Sequence, residues 1–97
     1  MEIKDCKKDS KVINLVVTIT SVPEVEITEN GKKVQECLCE DDTGQIILKL
    51  WEEYTGKFKV GDKVILNTGW CSEFKDEPYV SPGLHGRINL IPKEKVE

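Results

Sequence analysis

Residues 12–22, VINLVVTITSV, form a long β-branched run that Pro23 ends, and no other stretch limits the possible folds so strongly. Valine, isoleucine and threonine are stiff at χ1 and suit a pleated, half-buried surface. Ile13, Leu15, Val17 and Ile19 share one parity, so they project to one side of a strand and are expected to face the core. The rest of the chain must supply partners for this strand.

Those partners are short and separated by turn residues. Around Asn30-Gly31 the composition turns polar and the chain is expected to reverse into a second strand, 34–40 (VQECLCE). Asp41-Asp42-Thr43-Gly44 then reads as a tight turn into a third, 45–51 (QIILKLW). Here Ile46, Leu48 and Leu50 form an inward set, while Ile47, Lys49 and Trp51 point outward. Residues 52–57 (EEYTGK) carry helix formers stopped by Gly56 and predict one short helix. Val60-Gly61-Asp62 turns into a fourth strand, 63–70, where Gly69 predicts a bulge or bend. Residues 71–74 continue extended, 75–78 are expected to turn, and 79–81 followed by 87–91 complete a fifth, interrupted strand. The expected fold class is all-β: a five-stranded OB-fold Greek-key barrel with one short helix between strands 3 and 4. An SH3-like barrel is the rival architecture.

The 97 residues fit one domain spanning 1–97. No apolar run approaches the ~20 residues that cross a bilayer, and the N-terminal MEIKD has no secretory character, so a cytoplasmic, reducing location without a membrane partner is expected. Cys6, Cys37, Cys39 and Cys71 fit neither a disulfide framework nor a zinc site, and the lone His85 has no cysteine at finger spacing. They read as inert thiols, with no metal or cofactor expected. No Ser/His/Asp-like set or acid–base pair is recognisable, which speaks against an enzyme.

The aromatics carry the functional signal. Trp51 shares its outward parity with Lys49, Trp70 and Phe74 share one face beyond Gly69, and Tyr79 alternates with Val80 on the returning strand. Aromatic rings beside cations bind unpaired bases, because every base has a π-face that only a duplex hides. The candidate site is therefore Trp51, Trp70, Phe74 and Tyr79, with Lys49, Lys32, Lys33, Lys75 and Arg87 for phosphates. Two bland readings compete: tryptophan is usually buried packing, and a lone surface lysine is usually solvated. Tyr54 and Phe58 read as structural. The formal net charge of −4 opposes nucleic-acid binding as a whole-surface property, but a groove needs only a local cluster within a Debye length of about 10 Å.

In order and spacing, Ile3-Lys4-Asp5, the strand 12–19, Glu40 to Gly44, Leu48-Lys49-Leu50-Trp51, Val60-Gly61-Asp62, Gly69-Trp70 and Phe74-Lys75 resemble archaeal single-stranded DNA-binding proteins and the OB domains of archaeal replication protein A. The resemblance covers nearly the whole chain. It implies sequence-tolerant single-stranded DNA binding in replication, recombination or repair, with the positions matching Trp51, Trp70 and Phe74 as the stacking residues. Ile47 in place of a common basic residue, Glu52 beside Trp51, and Glu24, Glu26 and Glu29 in a loop that is often basic point to weaker affinity. The chain ends at 93–97 (KEKVE) without the family's polar tail, so a domain of a longer multi-OB protein is expected. The alternative function is protein–protein contact with other OB domains or replication and repair proteins, and RNA is the alternative nucleic acid.

Overall fold

A computed structural model gives the fold and describes residues 1–82 and 86–92; His85 and the 93–97 tail lie outside the described residues. Seven strands follow in order: β1 (Ser10–Ser21), β2 (Glu26–Ile27), β3 (Lys33–Asp41), β4 (Gly44–Trp51), β5 (Lys63–Phe74), β6 (Glu77–Ser81) and β7 (Arg87–Ile91). Around the barrel the order is β1, β3, β4, β6, β5 and back to β1, every pairing antiparallel except β4 with β6. Closing a sheet in this way removes most exposed edges. β6 pairs with the upper half of β5 (Trp70 to Phe74) and β7 with its lower half (Lys63 to Thr68), so together they form the interrupted fifth strand of a five-stranded closed barrel.

The core is built from strand alternation. Leu15, Val17 and Ile19 of β1, Ile46, Leu48 and Leu50 of β4, and Cys37 and Cys39 of β3 all point inward. The β1 pattern departs from expectation at its start: Val12 is fully buried, whereas Ile13, expected in the core, is 56% exposed. The side on which residues are buried changes at Asn14, which takes φ 53° in the left-handed region, while the β1–β5 register runs on without a shift, Ile13 opposite Thr68 and Leu15 opposite Leu66.

Three further expectations are corrected. No α-helix follows β4; a single 3-10 turn at Glu52–Tyr54 takes its place. A first helical turn fixes several dihedrals for one hydrogen bond, and here Glu52 already sits at φ 52° while its side chain accepts from the Lys33 N–H, leaving no run to propagate. The bend expected at Gly69 lies instead between Leu66 and Thr68 in the β5–β7 register. Gly69 pairs regularly with Val12, and it is glycine because a Cβ there would meet the Ser81 carbonyl oxygen at 2.5 Å and Leu66 Cδ2 at 2.9 Å. The turn expected over 75–78 is only Lys75-Asp76, both at positive φ, and Glu77 and Pro78 already belong to β6.

Two polar side chains fasten the loops. Gln35, buried in β3, donates to the Pro23 carbonyl at 2.8 Å and accepts from the Gly56 N–H at 3.0 Å, tying together two loops on either side of the barrel end. Asp41 closes the β3–β4 turn by accepting from the Thr43 N–H and hydroxyl and the Gly44 N–H, while its other oxygen accepts from the Ile3 N–H at 2.7 Å. Burial would raise its pKa, but these four donors outweigh that and hold the carboxyl below its ordinary value.

Candidate nucleic-acid interface

The outward faces of β4, β6 and the upper half of β5 make one surface. Register sets its rows: Trp70 lies opposite Ser81, Ser72 opposite Tyr79, and Phe74 opposite Glu77, while Tyr79 is aligned with Ile47 on β4. Trp70 is 45% and Phe74 64% exposed, far more than ring packing requires, whereas Trp51 and Tyr79 are half-buried. The reading of both tryptophans as barrel packing therefore does not describe Trp70.

Lys49 organises the middle of this surface. Its Nζ lies 4.7 Å from the centre of the Tyr79 ring and 5.5 Å from that of Trp51, linking β4 to β6 by cation–π contact. Lys75 lies 5.4 Å from the Phe74 ring centre. Two clefts open here. One, of about 140 Å3, is lined by Lys49, Phe74, Tyr79, Ile47, Pro78, Glu36 and Glu77. The other, of about 590 Å3, is lined by Trp51, Lys32, Tyr54, Glu52, Glu53, Ser81 and Pro82.

The fold thus brings Lys49, Phe74 and Tyr79 together at one cleft and Trp51 and Lys32 at the next. Trp70 and Lys75 stand on the same surface beside them. Lys33 is exposed at the start of β3, with its backbone N–H held by Glu52. Arg87 on β7 pairs with Thr68, two residues along β5 from Trp70. Sequence reasoning missed Lys11, whose register partner is Trp70 itself. Only the β1–β5 register reveals that neighbour. Tyr54 and Phe58 pack against the core as expected, but Tyr54 also lines the larger cleft and has Lys57 Nζ 5.5 Å from its ring centre.

The cysteines lie away from this surface. Burial, helped by Cys71, Asp5 and Asp41, pushes the Cys6 thiol up to about 11; burial, then Cys37, pushes Cys39 up to about 12. Thiols in that range stay protonated near neutral pH and are poor nucleophiles and poor ligands.

The family model for single-stranded DNA binding protein Ssb-like, OB fold, matches residues 7–89. The chain belongs to that Ssb-like OB-fold family. The family is one of DNA-binding proteins and not an enzyme class. The single-stranded DNA binding protein Ssb of Saccharolobus solfataricus is 26% identical over 90 residues, covering 90% of this chain and 61% of that protein, so the Ssb-like chain spans somewhat less than two thirds of its curated relative. Among solved structures, the OB domain of a Thermoplasma acidophilum protein superposes with a TM-score of 0.77 at 19% identity, covering all of this chain and 92% of the other. The second OB-fold domain of replication protein A from Methanococcus maripaludis gives a TM-score of 0.66 at 18% identity, covering 99% and 100% respectively. At such identities these two likenesses carry the fold.

Proposed function

We propose that this Ssb-like chain acts as a single OB domain that binds single-stranded DNA in replication, recombination or repair, by stacking bases on Trp51, Trp70 and Phe74, with Tyr79 as a fourth ring. The observation that carries the reading is the exposure of Trp70 and Phe74 on the surface that also holds Trp51, Tyr79 and the ring-bound Lys49. Exposed rings cost solubility and contribute nothing to the core, whereas unpaired bases cover them well. Lys11, Lys32, Lys33, Lys75 and Arg87 flank the rings and meet the phosphates.

The domain's net charge of −4 and the groove carboxylates Glu36, Glu52, Glu53 and Glu77 favour stacking over ion pairing as the main source of affinity. In a longer protein, linkage to further OB domains would raise its avidity through effective concentration.

Tryptophan fluorescence during titration with an unstructured mixed-pyrimidine oligonucleotide tests the proposal. Saturable quenching that weakens modestly with salt, and shrinks in folded Trp51→Ala and Trp70→Ala variants, is expected. Absence of quenching at low salt would reject direct binding and leave protein contact as the function of this surface. A matched RNA competitor reports whether the sugar matters, since stacking alone does not distinguish ribose from deoxyribose.

A further inference from the structure

The smaller cleft is an odd place for a phosphate. Two carboxylates, Glu36 of β3 and Glu77 of β6, stand on its rim, and neither has a hydrogen bond or ion pair among the described residues. Glu36 is the register partner of Lys49, and opposite charges so placed ordinarily pair across strands. Here they do not: the Lys49 ammonium is drawn along the sheet onto the Tyr79 and Trp51 rings, at 4.7 and 5.5 Å from their centres. The cleft therefore combines ring faces from Phe74 and Tyr79, apolar walls from Ile47 and Pro78, and uncompensated acceptors at its edge.

A nucleic-acid backbone is repelled by that rim, but the edge of a base is not. An ionised carboxylate offers only acceptors, so it rewards a donor and penalises a facing lone pair. Cytosine presents its N4 amino group, and carboxylate side chains accept from that group. Uracil and thymine present O4 at the same place. With about 140 Å3, the cleft offers space on the scale of a single base.

We infer that Glu36 and Glu77 make this cleft a base-selecting subsite that favours bases with an exocyclic amino group, cytosine among the pyrimidines, over uracil and thymine. The inference rests on the proposed stacking function and adds a bias at one position of an otherwise sequence-tolerant track. Both carboxylates are exposed, so neither is needed for folding.

The test compares oligo-deoxycytidine with oligo-deoxyuridine of about twelve nucleotides, within the site sizes of OB folds, by fluorescence titration at mildly alkaline pH. These strands have the same ring size and both lack the 5-methyl group, so they differ only in the base edge. The wild-type protein is expected to bind the cytosine strand about fivefold tighter, the low end of the discrimination seen for a well-made base contact. In Glu36→Gln/Glu77→Gln, whose amides both donate and accept, the ratio falls to about one, mainly because the uracil strand binds better. Losing negative charge tightens both strands alike and leaves the ratio untouched, so the ratio isolates edge recognition. Equal wild-type affinities overturn the inference while leaving stacking intact, as does a cytosine preference that survives in the double variant. Failure of both strands to bind removes the single-strand reading, and this inference with it.

Discussion

The two halves of β5 face solvent in opposite ways. Its upper half, with β6 and β4, exposes Trp70 and Phe74 and leaves Glu36 and Glu77 without partners among the described residues. Its lower half, with β1 and β7, carries three asparagines in a row: Asn89 Nδ2 donates to Asn67 Oδ1 at 2.6 Å, and Asn67 Nδ2 donates to Asn14 Oδ1 at 3.4 Å. Both halves pair with β1 on one edge, and the other edge is taken first by β6 and then by β7. One half ties its asparagines to one another, at the place where the β5–β7 register shifts. The other leaves rings and charges open. The difference separates side chains that hold the barrel from side chains left open to solvent.

Paired substitutions at the two ends sharpen this contrast. Trp70→Ala is expected to weaken single-strand binding by about 1–3 kcal/mol, the range of the single-strand-binding OB folds as a class rather than a value obtained for this chain. Its melting temperature should stay close to wild type. Asn67→Ala should do the reverse: unchanged titration curves, and a stability loss of about 1 kcal/mol in urea unfolding as hydrogen bonds on both sides are lost. A binding defect in Asn67→Ala would break the comparison by showing that the lower half also contacts DNA.

Asp41 tests the structural side through pH. Its folded pKa lies below the ordinary value of 3.8, so its stabilising contribution is complete above that value and is lost as pH falls through the lowered folded value. Asp41→Asn should be less stable at neutral pH and show a flatter acid limb in thermal melts. The smallest effect is expected from Lys11→Ala: binding weakens slightly and the slope of log K against log salt becomes shallower by about 0.7, one phosphate contact for a single strand. No change in slope would remove Lys11 from the phosphate track.

Much of the barrel was legible because β4 alternates without interruption: Ile46, Leu48 and Leu50 inward, with Lys49 and Trp51 outward, follow from parity alone. Parity failed at Ile13, because nothing in VIN announces that Asn14 will adopt a left-handed backbone and flip the residues before it. Composition failed at Glu52 to Gly56, where helix formers lost to a turn held by Lys33. The outward-facing rings were legible as a set but not in their arrangement. Lys11 beside Trp70, and Glu36 opposite a lysine turned toward other partners, depend on strand register, which short-range pattern does not encode.

The seam where the barrel closes is short. β4 and β6 share only two aligned pairs, Ile47 with Tyr79 and Leu48 with Val80. The smaller cleft straddles that seam, with Ile47 and Lys49 on one bank and Glu77, Pro78 and Tyr79 on the other. If the proposed base lodges there it would act as a rivet between the two banks, so the joint that keeps the barrel wall shut would also be the one that grips the ligand, and occupancy would leave the barrel harder to pry open.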